Sequence, residues 1–133
     1  MILVDSSVWI DYFNGTRTPE TDRLDALLGN DVAATGDLIL LEVLQGFRSD
    51  ADLAAARRAM AILPYFDLLG RERAHRAARR YRELRKAGVT VRKTVDVVIG
   101  SFCIDEGMPL LFSDRDFLPM VEHLGLVSLV QSH

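Results

Sequence analysis

Four acidic residues stand at points in this chain where an α/β fold would gather them. Asp5 closes the apolar run Met1-Ile2-Leu3-Val4, and Glu42 interrupts an apolar run that begins Leu38-Ile39-Leu40-Leu41. Asp96 sits among Val95, Val97, Val98 and Ile99, and Asp114 follows Leu110-Leu111-Phe112-Ser113, with Asp116 two residues on. A carboxylate at the end of an apolar strand lies at the mouth of a parallel sheet, where α/β folds hold their ligands. Carboxylates converging there repel one another unless something positive lies between them. A hard divalent cation answers that need, and phosphodiester hydrolysis is chemistry that such an ion supports.

Each acid also has an ordinary reading. Asp5 can cap the helix that follows it, and Glu42 can occupy a solvated helix face. Asp96 falls in a first helical turn, where the helix dipole favours a carboxylate. Asp114 and Asp116 can simply form a turn. Their joint placement at successive strand ends and helix starts is what favours a common site.

The elements that must position them follow from pattern. Residues 2–4, 32–35, 65–68, 109–112 and 126–129 read as short strands. Helices are expected over 6–13, capped by Ser6 or Ser7, and over 19–28, stopped by Gly29. Asp37 should cap a helix reaching nearly to Gly46, and Asp50 or Asp52 should open an alanine-rich helix ending before Pro64. A long helix over 71–86 carries the stripe Ala74, Ala77, Ala78, Tyr81 and Leu84. Thr94 should cap a helix over 95–106 stopped by Gly107, and a short helix follows over 116–121. Alternating strands and helices predict a three-layer α/β/α sandwich on a mainly parallel sheet of four to five strands. The 133 residues fit one domain, 1–133.

Composition limits the setting. The single cysteine, Cys103, rules out an intrachain disulfide and a four-cysteine zinc site, and suits a reducing cytoplasm. The N-terminus lacks the basic region of a signal peptide, and no apolar stretch is long enough to span a bilayer. The formal net charge is −3, yet residues 71–93 hold ten of the 16 basic residues against only Glu72 and Glu83, a local charge of +8. One basic element on an acidic body is an electrostatic footprint for phosphate. Within it, Arg92 and Lys93 lead directly toward Asp96 and are the candidate phosphate contacts. Trp9, Tyr12 and Phe13 suit a core or a dimer contact better than a base-stacking platform.

Four blocks carry a resemblance: Val4-Asp5-Ser6-Ser7-Val8-Trp9-Ile10, Leu41-Glu42-Val43-Leu44-Gln45-Gly46, Thr94-Val95-Asp96-Val97-Val98-Ile99 and Ser113-Asp114-Arg115-Asp116-Phe117. Together they resemble the signature blocks of PIN-domain ribonucleases, and most closely those of the VapC-type toxins of toxin–antitoxin pairs. The resemblance implies that Asp5, Glu42, Asp96 and Asp114 form a metal-binding acidic quartet, with Asp116 as an auxiliary acid. Ser6 or Ser7 matches the small hydroxyl residue that follows the first acid. Gly100 and Ser101 stand where alanines are common, a mild departure.

The implied activity is a Mg2+-dependent endoribonuclease, with Mn2+ as a substitute, cleaving tRNA, rRNA or mRNA. A cognate antitoxin, an RNA substrate and a homodimer are the implied partners, in the cytoplasm. Asp5 and Asp96 are expected as direct ligands, with Glu42 and Asp114 completing the site or orienting water; one ion or two stays open. No histidine is placed to serve as a general base, since His75 lies in the basic helix and His123 and His133 lie near the end.

The rival readings are a metal-dependent phosphatase or DNA nuclease on a similar acidic site, or a non-catalytic interaction module. A dehalogenase-type phosphatase wants Asp-x-Asp after the first strand, where this chain has Ser6-Ser7. A receiver-like module wants a late lysine, and none follows Lys93. A dinucleotide-binding fold wants a glycine-rich first turn, also absent.

Overall fold

Four short parallel strands, β1 (Ile2–Val4), β2 (Ala33–Gly36), β3 (Tyr65–Phe66) and β4 (Leu110–Leu111), form one sheet in the order β3-β2-β1-β4. The computed structural model describes residues 1–129. β1 is central because Leu3 and Val4 are wholly buried, and the register pairs Leu3 with Leu110 and Val4 with Leu111. The Asp5 N–H continues this ladder onto the Leu111 carbonyl at 2.9 Å. The first acid is thereby pinned beside the strand from which Asp114 emerges.

Among the described residues there are seven α-helices. Helices α1 (Ser6–Phe13) and α2 (Pro19–Gly29) link β1 to β2, and α3 (Asp37–Leu44) and α4 (Asp50–Ala61) link β2 to β3. The long α5 (Arg71–Lys86) and α6 (Thr94–Glu106) return the chain across the sheet to β4. Right-handed crossovers running in opposite directions put the two sets on opposite faces. The contacts agree: α1 packs on α2 and α3, whereas α5 packs on α6 and on α7 (Leu118–Leu124). The direction of winding reverses between β1 and β4, and a crevice opens at such a reversal beyond the strand ends.

Helix α6 is buried without a break from Asp96 to Cys103, as expected of a helix whose apolar residues surround it. Ile99 and Phe102 join Leu3, Leu110, Phe112 and Phe117 in the core, each large side chain contributing about 1.5–3 kcal/mol by burial. Gly100 lets the structure close here: a Cβ would collide with the Met120 side chain, which lies directly on the α6 backbone. Gly107, at φ 62°, ends the helix in the left-handed conformation that glycine adopts freely.

Several local expectations change. Asp5 itself caps α1. Gly36, not Asp37, is the cap position of α3, because Asp37 Oδ1 accepts from the N–H groups of Leu38 and of distant Leu68. Ser49 caps α4, and Lys93 rather than Thr94 precedes α6. The expected helix over 116–121 is a 3₁₀ turn, Arg115–Phe117, running into α7 (Leu118–Leu124). The expected fifth strand shrinks to a single parallel bridge between Leu110 and Ser128. No helix among the described residues is long and apolar enough to cross a membrane.

Candidate metal centre

Asp5 leaves β1 with its side chain buried at the crevice. Oδ2 accepts from the Ser7 N–H at 3.1 Å and the Ser7 hydroxyl at 2.6 Å, which is the helix cap. Oδ1 is buried with no hydrogen-bond partner. The helix-cap reading of Asp5 therefore holds, and it uses only one of the two oxygens. Burial, opposed by the Ser7 hydrogen bonds and reinforced by nearby Glu42, raises its pKa to about 6. Glu42 reaches the same region from α3, where its Oε1 accepts from the Ser6 hydroxyl at 2.9 Å. The two serines after Asp5 thus divide their work, Ser7 holding Asp5 and Ser6 holding Glu42.

Asp96 enters from the first turn of α6, and its Oδ2 is a second buried carboxylate oxygen without a hydrogen bond. Its pKa rises to about 7, chiefly from burial and then from the charge of Asp5, with Lys93 opposing and Asp114 and Glu42 adding further repulsion. Asp114 caps the 3₁₀ turn, with Oδ1 accepting from the Asp116 N–H at 2.9 Å. Asp96, Asp114 and Asp116 each offer an oxygen, all within 4.8 Å of one another. The loops beneath are tied together by the Ser113 hydroxyl, which donates to the Ser7 hydroxyl at 3.2 Å.

These residues fit a hard divalent cation. All the donors are carboxylate oxygens, which such ions prefer. Two of them are buried with their lone pairs unsatisfied, an expensive arrangement unless a cation shares the space.

Lys93 stands among these acids. Its Nζ lies 2.6 Å from Asp114 Oδ2, 3.8 Å from Asp96 Oδ2 and 3.9 Å from Asp116 Oδ2. Although burial would raise the Asp114 carboxyl, the Lys93 hydrogen bond holds it below its ordinary value. A cavity of about 190 Å³ opens alongside, lined in part by Arg92, Lys93, Asp96, Arg115 and Asp116. Sequence reading passed over Arg115, treating Asp114-Arg115-Asp116 only as a pair of acids; the cation between them was the available signal.

The basic helix divides differently from expectation. Arg73 pairs with Glu106 at 2.6 Å and Arg76 with Asp105 at 2.9 Å. Arg80 donates to Asp105, to the Ser101 hydroxyl and to the Ser101 carbonyl. These three arginines, each partly exposed, fasten α5 to α6. Trp9 is buried, stacking on Phe13 and meeting Tyr12 edge-on, so this aromatic group is packing. Cys103 is buried in the core.

Comparison with known proteins supplies the lineage. The PIN domain family model matches residues 2–121. VapC ribonuclease Mb1587 of Mycobacterium bovis and Ribonuclease VapC11 of Mycobacterium tuberculosis are each 32% identical over 119 residues, spanning 88% of this chain and 89% of theirs. Among solved structures, VapBC2 from Rickettsia felis bound to a DNA fragment from their promoter contains a chain of the same fold. It has a TM-score of 0.76 at 16% identity, covering 96% of this chain and 97% of that one. The α/β topology with its reversal at β1, the acids gathered there and the family match over nearly the whole length agree: this chain belongs to the PIN domain family.

Proposed function

We propose that the chain is a metal-dependent endoribonuclease, the toxin of a toxin–antitoxin pair. One observation carries the reading: Asp5 and Asp96 each keep a buried carboxylate oxygen without a hydrogen bond, beside Glu42, Asp114 and Asp116. The names of the mycobacterial relatives support RNA as the substrate. In this reading Asp5 and Asp96 bind a divalent ion directly, and Glu42, Asp114 and Asp116 complete the site. A bound ion, Mg2+ with Mn2+ as substitute, supplies a more acidic water and charge neutralisation at the scissile phosphate. Ser7 and Ser6 orient Asp5 and Glu42, while Arg92 and Lys93, with Arg115 beside them, attract the RNA backbone toward the acids.

The partner is a small antitoxin, as the paired proteins of the Rickettsia complex suggest; the active form is a homodimer, and the setting is the cytoplasm. Incubating purified protein with total cellular RNA and Mg2+ or Mn2+, then mapping new 5′ ends, tests the activity. Discrete cleavage that EDTA stops supports it. Folded protein that leaves RNA intact with either metal refutes it.

A further inference from the structure

Lys93 occupies the position before the first residue of α6, where helices prefer Ser, Thr, Asp or Asn. It supplies no side-chain cap there, and a cation at that end opposes the helix dipole. A local rule broken in this way marks a residue held for another purpose. The geometry identifies the purpose: Nζ is within 4 Å of Asp96, Asp114 and Asp116, the same three acids whose oxygens lie within 4.8 Å of one another. The Lys93 carbonyl also accepts from the Asp96 N–H at 3.2 Å, so the two residues meet through the backbone as well.

We infer that Lys93 is the second cation of the centre: its ammonium neutralises Asp114 and Asp116, while Asp5 and Asp96 hold one divalent ion. This rests on the nuclease reading above and deepens it. Two-metal sites place their ions about 3.5–4 Å apart, each balancing part of one carboxylate cluster. Here a tethered charge already stands within 4 Å of three of the acids, and a second divalent ion beside them would have to displace it against like-charge repulsion. Lys93 is then a positioning and charge-balancing residue whose loss opens room for another ion.

Mn2+ binding by the full chain without RNA, followed by electron paramagnetic resonance and calorimetry, decides the matter. Wild type should bind about one Mn2+ and Lys93→Met about two, a doubling of stoichiometry. Lys93→Arg, which keeps the charge, should return to about one, with circular dichroism verifying that the variants fold. Two ions in wild type, or one in folded Lys93→Met, overturns the lysine's role and leaves the nuclease reading standing. No ion bound by folded wild type overturns the metal centre and this inference together.

Discussion

The two ends of helix α6 handle negative charge in opposite ways. At its start, Asp96 faces other carboxylates, leaves an oxygen without a hydrogen bond and has its pKa raised to about 7, even with the Lys93 ammonium 3.8 Å away. Some nine residues later, Asp105 receives Arg76 and Arg80. Burial would raise the Asp105 carboxyl too, but hydrogen bonds from the two arginines hold it below its ordinary value. One end is assembled to stay together, the other to receive something positive. Ion pairing at the far end fastens α6 to α5.

The sharpest way to break the contrast is at the unpaired acids. Asp5→Asn or Asp96→Asn should cost at least roughly a thousandfold in metal-dependent RNA cleavage, about 4 kcal/mol, while the circular dichroism spectrum is kept. Cleavage within tenfold of wild type would remove either residue from the centre.

Protonation gives the next largest effect. In EDTA, the raised pKa of Asp5 means the folded chain holds a proton that the unfolded chain has already released. That contribution is fully present below about pH 3.8 and is lost as pH rises through about 6, a change on the order of 3 kcal/mol for Asp5. Asp96 extends the same loss to about pH 7. Asp105 works with the opposite sign, its contribution being present above the ordinary carboxylate pKa and lost as pH falls. Urea melts across pH 4–8 should show the decline, and Asp5→Asn should flatten it; an undiminished slope in that variant would assign the effect elsewhere.

The paired end is tested by Arg80→Met, which leaves Asp105 with Arg76 alone and strands the Ser101 hydroxyl. It should lower stability by about 2 kcal/mol in urea with the cleavage pattern unchanged. The smallest effect concerns substrate attraction. Replacing Arg92 and Arg115 with alanine should lower the slope of log binding against log salt by about 1.4 on single-stranded RNA. Replacing exposed Arg79 on α5 should leave that slope unaltered.

Much of this architecture could be read in the residue order. The apolar run before Asp5 and Gly107 after α6 each announce a local structure through short-range chemistry; of the stripe expected on α5, Ala77 and Leu84 are buried but Ala74 and Ala78 are exposed. What escaped reading depends on distant partners. Asp37 looks like a helix cap until the Leu68 N–H reaches it from across the chain. Ser101 departs from the usual small apolar residue because Arg80 needs an acceptor there, and Gly100 because Met120 needs the space. The arginines of α5 read as a phosphate-attracting surface because nothing nearby in sequence marks Asp105 and Glu106 as their partners. Lys93 drew notice for its charge, but its placement among three acids required the fold.

The central position of β1 has a consequence for synthesis on the ribosome. Asp5 emerges well before its lateral neighbour β4 and the acids after it, which come more than a hundred residues later. Until that last stretch is released, the sheet lacks one side and the cluster lacks Asp114 and Asp116. A nascent chain therefore carries no complete centre, and competence arrives only when translation of the domain is nearly finished.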